Sequence, residues 1–344
     1  MRLARWSTVA ASCALAALLS LPAWGADNTD TSRRTAMPGT LNYIEGQASI
    51  GNQTLGSNDV GNVTLQNGQV LDTGNGKAEI LLTPGVYLRV GSDSSVRMDS
   101  NGLADTRISI QQGEAMLEVD QLYHENDLRV SQPGADTRIE KKGLYDFNAG
   151  DQKILVFDGK AAVTADDRNT TLGKNHEVSL ASAKIKSKDF DKKKVTQNDD
   201  LYRWSSLRSQ YLSEANADEA NQYYANGWYG PGWWGPGWYW DPFFADFTFL
   251  PGSGYFYNPF GWGFYSPLMA WRAPYIAGRG YNYHHFDGSR PVAIGHGFHN
   301  HAVRSYRGGY GMGGMRGGGM RAGGFGGGGF HGGGGFHGGG GGRR

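Results

Sequence analysis

The sequence has little of the chemistry that enzymes use. Its one cysteine in 344 residues, Cys13, lies in an N-terminal apolar segment, so the chain after that segment has no disulfide and no reactive thiol. Between residues 27 and 270 the histidines are His124 and His176, and neither lies in a recognisable nucleophile motif. We therefore expect a protein that is not an enzyme and that has no catalytic residues, no metal site and no cofactor.

Long apolar runs are missing after the N-terminal segment. There, two arginines precede the uncharged stretch 9–21 and small residues follow at 23–26, which is the pattern of a cleavable signal peptide over residues 1–25. The stretch is shorter than the roughly 20 residues that cross a bilayer. We expect an exported protein of the periplasm, the outer envelope surface or the medium, with no transmembrane span after cleavage. A retained anchor and a lipidated Cys13 are the alternatives.

Lysine is missing after Lys194, and the two charge signs are unevenly distributed. Residues 27–270 carry 22 Lys and Arg against 31 Asp and Glu, a balance of −9. Residues 271–344 carry nine Arg against one Asp, a balance of +8. The C-terminal region is therefore a cationic arm whose arginines favour stacking and bidentate contacts.

Helical periodicity is missing from residues 41–180, which hold short β-type segments. The predicted strands are 41–45, 47–50, 77–82, 86–90, 107–110, 114–119, 137–141, 144–148, 153–157, 160–164 and 177–180. Gly85, Gly113, Gly143, Gly159 and Gly173 mark tight turns between strands. The series predicts an all-β domain at residues 40–182, an antiparallel sandwich or roll of short hairpins, after a polar leader at 26–39.

The pattern changes after this domain. Residues 183–198 form a basic stretch that we interpret as a solvated linker. Residues 199–221 have helical spacing and predict one amphipathic helix docked on the sheet. Its expected apolar stripe is Leu201, Trp204, Leu207 and Tyr211.

The remainder is low in complexity. An aromatic Gly/Pro-rich region covers residues 222–300, with 25 aromatic residues in the 64 positions from 223 to 286. Gly and Pro at this density exclude a regular helix. The Gly/Arg/His-rich tail at 301–344 has 23 glycines in the 35 positions from 308 to 342 and is predicted to be disordered. Two interpretations of the aromatic region stay open: a displayed arm, or a compact cap over the sheet.

The strand region resembles the FecR-like domain family, and the chain as a whole resembles exported acidobacterial-type proteins that contain this domain. The likeness covers about residues 40–180 and rests on glycines and strand motifs at 46–50, 68–74, 77–82, 88–91, 110–114, 142–147 and 156–161. In signalling members of the family the domain lies in the periplasm and acts, through a membrane helix, on a sigma factor. The resemblance implies a fold and an exported binding or scaffold domain, and it implies no catalytic residues.

Three further residue patterns could indicate catalysis, metal binding or nucleic-acid binding. Glu114, Glu118 and Asp120 alternate along one strand, and we interpret them as solvent-facing carboxylates rather than as a glycosidase pair. Tail histidines predict at most weak, adventitious metal binding, because a glycine tract holds no fixed ligand geometry. Arginine-glycine segments resemble those of nucleic-acid-binding proteins, but an exported chain meets anionic envelope polymers, so no nucleic-acid partner is expected.

We therefore expect a non-enzymatic envelope protein whose C-terminal region adheres to a polysaccharide or a protein partner. The alternative is a periplasmic signalling module that acts on a membrane partner or a sigma-factor pathway. Flat aromatic rings stack on sugars, and arginines pair with anionic groups. The candidate binding residues are Trp228, Tyr229, Trp233, Trp234, Trp238, Tyr239, Trp240, Trp262, Trp271, Arg304, Arg307 and Arg316.

The signal-peptide prediction is testable by N-terminal sequencing of the protein recovered from the cell envelope or the medium. We expect cleavage after Gly25 and a first residue at Ala26, because Ala23 then occupies the small-residue position before the cut. Retention of Met1, or a lipidated Cys13 as the first residue, would contradict this.

Overall fold

The computed structural model describes residues 36–166, 168–182, 185–227 and 234–273. The predicted signal peptide and disordered tail lie outside these residues. The strands are β1 (Leu41–Glu45), β2 (Ala48–Ile50), β3 (Gln53–Thr54), β4 (Val70–Thr73), β5 (Lys77–Leu81), β6 (Val86–Val90), β7 (Ser95–Asn101), β8 (Asp105–Gln112), β9 (Glu114–Val119), β10 (Asp127–Gln132), β11 (Ala135–Ile139), β12 (Gly143–Asn148), β13 (Lys153–Asp158), β14 (Lys160–Ala165), β15 (Arg168–Gly173), β16 (His176–Ser179), β17 (Lys188–Asp189), β18 (Gly237–Asp241), β19 (Asp246–Leu250), β20 (Tyr255–Tyr257) and β21 (Gly263–Tyr265). The helices are α1 (Lys192–Asn198) and α2 (Asp200–Ala225), with 3-10 turns at Ser57–Asp59 and Pro267–Arg272.

Two large sheets share one hydrophobic core. The first has the strand order β1-β5-β6-β9-β12-β13-β16-β17 and the second β15-β14-β11-β10-β8-β7-β4-β2-β3. Leu88, Leu117 and Phe147 of the first sheet and Val96 and Val130 of the second are fully buried in this core. Burial of such side chains stabilises the fold by about 1.5–3 kcal/mol each.

The all-β prediction is confirmed, and every predicted strand overlaps an observed one. The structure adds strands that the sequence did not predict, including β4, β7, β10 and β15, whose exposed faces carry charged or small polar residues. Most neighbouring strands are antiparallel, but β8 and β10 pair in parallel. Gly113 shows why a turn glycine is required: its φ is +76°, and a Cβ there would lie 2.7 Å from Cα of Ser94.

The outer face of the first sheet is also buried. In β6, Val86, Leu88 and Val90 face the shared core, but Tyr87 and Arg89 on the opposite face are equally inaccessible. Helix α2 and the aromatic segment 237–265 cover them. The sheet is thus buried on both faces, which explains why β5, β6 and β9 lack an exposed residue.

Helix α2 docks through a polar face, which corrects the predicted apolar stripe. Leu201 and Trp204 are buried as expected, but Tyr211 is exposed. Other buried positions of the helix include Ser205, Arg208, Ser209, Leu212, Ser213 and Asn216. The face is polar because the sheet surface that it covers presents buried charged groups, which require hydrogen-bonding partners. Asp199 caps the helix by accepting a hydrogen bond from the backbone N–H of Tyr202 at 2.8 Å.

The described part of the basic stretch before α2 has regular structure. It contains β17 and α1, and Asp191 caps α1 through the backbone N–H of Lys194. Phe190 anchors the stretch because its ring packs edge-on against Phe157, with ring centroids 5.2 Å apart. Most of its described lysines are exposed, as expected for a solvated stretch.

The described part of the aromatic region forms two hairpins, β18-β19 and β20-β21, which pack on α2 and on the first sheet. Phe247, Phe249 and Phe264 are fully buried with Leu81 and Tyr87 of the sheet. Backbone polar groups of the hairpins are bonded by helix side chains: for example, the amide of Asn216 donates to the carbonyl of Phe249 at 2.8 Å and accepts from the N–H of Tyr265 at 2.7 Å. Residues 237–265 therefore form a compact cap.

The sequence predicts that a fragment of residues 36–222 folds alone. The contacts of the cap predict in addition that this fragment is less stable than one that includes the cap. We expect the 36–222 fragment to melt at a lower temperature than a 36–273 fragment, because removal of the cap exposes Leu81 and Tyr87 and leaves buried polar groups without partners. Thermal melts followed by circular dichroism provide the measurement. Equal melting temperatures would show that the cap adds no stability.

Candidate functional site

A group of charged side chains lies buried between the first sheet, α2 and the cap. Arg89 is the centre of this group, which we call the buried ion network. Its Nε donates to Oε2 of Glu79 at 2.8 Å, and its Nη1 donates to Oε2 of Glu118 at 2.5 Å. All three side chains are fully inaccessible. The three residues come from β6, β5 and β9, which are neighbours in the sheet and place these side chains on one face.

The helix and the cap complete the buried ion network. Arg208 of α2 donates from Nη2 to Oε1 of Glu79 and to Oδ2 of Asp246, both at 2.9 Å, and its guanidinium lies 4.0 Å from the ring centroid of Tyr43. Glu118 accepts from Oγ of Ser209 at 2.9 Å and from Nδ2 of Asn258 at 2.7 Å. Each carboxylate of the sheet is thereby bonded to an element that follows the β domain in sequence.

The arginines control the electrostatics of the network. Burial raises the pKa of the Glu79 carboxyl, but Arg208 and Arg89 outweigh burial and hold that pKa below its ordinary value. Burial also raises the pKa of Asp246, to about 7, although Arg208 opposes the shift. Neither guanidinium is fully satisfied, since Nη2 of Arg89 and Nε of Arg208 have no hydrogen-bond partner. The network therefore joins the first sheet, α2 and the cap through buried ion pairs.

A second cluster is built from carboxylates alone. Glu114 of β9, Asp146 of β12 and Asp199 at the start of α2 each place an oxygen within 4.8 Å of the others. They line a cavity of about 630 Å³ beside the junction of α1 and α2. Asp146 is only 3% exposed, and its Oδ1 has no hydrogen-bond partner. We call these three residues the carboxylate cluster.

Burial and mutual repulsion perturb the carboxylate cluster. Burial, together with Asp199, raises the pKa of Glu114 to about 7. Burial and then Glu114 raise the pKa of Asp146 well above its ordinary value, and burial raises that of Asp199 despite its two backbone hydrogen bonds. Across the described residues, none of the three carboxylates forms an ion pair with a lysine or arginine. The sequence did not predict this cluster, because its members are far apart in the chain and meet through strand pairing and a helix cap.

Comparison with known proteins gives one family match. Residues 53–162 match the family model described as FecR protein. The chain carries a FecR domain. No curated protein matches the chain. Two solved structures of a candidate anti-sigma factor from Parabacteroides distasonis show 20% and 18% identity and TM-scores of 0.32 and 0.33. They cover 36% and 37% of this chain, and the chain spans 61% and 62% of theirs. TM-scores this low carry no argument about fold or function.

Beside the FecR domain, the cap and the 3-10 turn that follows it expose a group of neighbouring aromatic side chains. Tyr255 and Tyr257 of β20 are 40% and 61% exposed, and Trp271 is 62% exposed. Arg272 lies between Tyr255 and Trp271, with its guanidinium 5.2 and 4.8 Å from their ring centroids. We call these four residues the aromatic patch.

The described helices include none with the length and apolar character of a membrane span.

The predicted binding residues have different environments in the structure. Trp238, Tyr239, Trp240 and Trp262 are buried or half-buried within the cap and against α2 and the sheet. Trp271 belongs to the aromatic patch, and Trp234 is 84% exposed. The other predicted residues, Trp228, Tyr229, Trp233, Arg304, Arg307 and Arg316, lie outside the described residues. Among the described candidates, Trp234 and Trp271 are the rings most accessible to a partner.

Two carboxylates predicted to face solvent are buried. Glu118 is fully inaccessible within the buried ion network, and Asp120 is 2% exposed with neither oxygen hydrogen-bonded. Burial, and then the charge of Glu118, raise the pKa of Asp120 well above its ordinary value. The prediction was wrong because α2 and the cap cover the sheet face that these residues occupy.

The buried ion network yields a stability prediction. We expect Arg208→Ala to lower the free energy of unfolding by about 3–5 kcal/mol, because it removes one of the two arginine partners of Glu79 and the arginine partner of Asp246. Arg203→Ala is a matched control on the same helix: its side chain is 59% exposed and lies 3.4 Å from Asp200, so we expect a change within about 0.5 kcal/mol. Urea denaturation of both variants is the measurement. Similar losses in both would contradict a central role for Arg208.

Proposed function

We propose that this chain is a non-enzymatic, exported signalling module, in which the FecR domain reports the binding of an envelope partner to a membrane protein. The match of residues 53–162 to the FecR family is the observation that carries the proposal. Signalling members of that family act from the periplasm on a membrane-linked regulator. Sigma-factor control is the pathway class that this resemblance suggests for the chain.

The aromatic patch is the surface that we propose for the partner. Exposed Tyr and Trp with a stacked arginine are the residue types enriched at the energetic centres of protein interfaces. Tyr255 is held by Arg272, whose Nη1 donates to the Tyr255 hydroxyl at 3.1 Å, so the patch is partly preorganised before binding. The cap joins this patch to the sheet through Asp246 and Asn258 of the buried ion network.

Adhesion to an envelope polysaccharide is the second candidate function. It is favoured by the exposed rings of Trp234 and Trp271, since flat aromatic rings stack on sugar faces. In this proposal the arginine-rich C-terminal region adds attraction to anionic polymers that weakens as salt rises. The two candidates differ in what loss of the patch changes: transcription in the first, retention on the polymer in the second.

Complementation of a deletion strain tests the signalling proposal. We expect deletion of the gene to change the transcript levels of a defined gene set, and the wild-type chain to restore them. The double variant Tyr257→Ala/Trp271→Ala should fail to restore them, because it removes the two most exposed rings of the patch. Tyr224→Ala, an exposed tyrosine at the end of α2, is the matched control and should complement.

The contrary results are distinct. Unchanged transcripts after deletion, or full complementation by the double variant, would refute the signalling proposal or its surface. Retention of the wild-type chain on isolated cell-wall and exopolysaccharide fractions, measured over a salt series and lost in Trp234→Ala/Trp271→Ala, would favour adhesion instead.

A further inference from the structure

The cavity beside the carboxylate cluster is lined by more acidic than basic side chains. The cavity is lined by six carboxylates and three lysines. Lys77 pairs with Asp200 at 2.8 Å, and Lys153 lies 3.9 Å from Asp151. Glu177 pairs with Lys188 at 2.9 Å. These pairs leave Glu114, Asp146 and Asp199 facing one another without an ion pair among the described residues. The third lysine of the lining, Lys194, forms no ion pair with them.

Asp146 supplies an independent observation that points to a ligand. Its side chain is almost completely buried, it lines the cavity, and Oδ1 accepts no hydrogen bond. A buried carboxylate oxygen without a donor destabilises the fold, so such groups are normally paired or bound to a metal. Asp199 is fixed in place because its Oδ1 caps α2, while Glu114 and Asp146 occupy directly neighbouring strands.

We propose that Glu114, Asp146 and Asp199 bind a calcium ion. Carboxylate oxygens are hard ligands that suit Ca²⁺, which takes six to eight of them at about 2.4 Å. The three ligand oxygens lie within 4.8 Å of one another, so one ion at this distance from each can reach all three. Ca²⁺ accepts irregular coordination, whereas Mg²⁺ demands a near-ideal octahedron. The cavity has room for water molecules that complete the coordination sphere.

The position of the site gives the ion a structural effect. Glu114 and Asp146 belong to the first sheet, and Asp199 is the N-cap residue of α2. An ion held by all three would cross-link the helix start to the sheet. It would bind the folded state and not the unfolded chain, so it would raise the melting temperature with the logarithm of one plus the ratio of the free Ca²⁺ concentration to Kd.

Calorimetric titration and thermal melts of the full chain, treated first with EDTA and then dialysed, test the site. With about 10 mM CaCl₂ we expect the melting temperature to rise by about 2–5 °C relative to KCl of equal ionic strength, as for a site of roughly millimolar Kd. Asp146→Asn and, separately, Glu114→Gln should abolish the rise and the binding heat. Asp136→Asn, an exposed aspartate on β11, is the matched control and should keep both.

Three outcomes would overturn the proposal. The first is no Ca²⁺-dependent rise or heat in the wild-type chain, which is the result for a cluster that only shares protons. The second is an unchanged response in both Asp146→Asn and Glu114→Gln. The third is an equal or larger response to MgCl₂, which would refute the assignment to Ca²⁺. Because the wild-type titration needs no variant, the proposal is decided even if one variant fails to fold.

Discussion

The guanidinium of Arg89 is buried away from water, and its need for bonding partners constrains how the first sheet, α2 and the cap are arranged. Removing a guanidinium from water costs several kcal/mol, which is recovered only through well-placed opposite charges and hydrogen bonds. Glu79 and Glu118 meet the requirement within the sheet. Their own burial then demands further donors, which Arg208, Ser209 and Asn258 supply from α2 and the cap. A single buried charge thus makes three successive parts of the chain mutually dependent.

This dependence explains which parts of the structure were predictable. Strands such as β6 and β13 were found from their runs of β-type residues and the glycines at the neighbouring turns, because those signals are local. The all-β class followed from them. The polar docking face of α2 was not predictable, since Arg208 and Ser209 have surface-type side chains whose burial depends on residues more than 90 positions away.

The candidate sites show the same limit. The exposed ring of Trp271 was predictable from composition, but its stacking with Arg272 required the fold. Glu114 drew attention only because it alternates with Glu118 and Asp120, yet these residues belong to two different environments: Glu114 lines the cavity, and Glu118 joins the buried ion network. Strand pairing and a helix cap bring Glu114 close to Asp146 and Asp199. A local sequence pattern does not predict either of these long-range arrangements.

The hydrogen bonds between Asn42 and Phe247 join the first strand of the described structure to a segment 205 residues later. A chain that emerges N-terminus first therefore presents β1 long before its partner exists. During that interval the amide of Asn42 and the ion pairs beside it face water, and the outer surface of the sheet is open to wrong contacts. Pairings at such separation close slowly, because the loop between them must lose its entropy first. The order of synthesis thus brings the cap after the strands and the helix that it covers, and the outer face of the first sheet is shielded from water only when the aromatic segment has emerged.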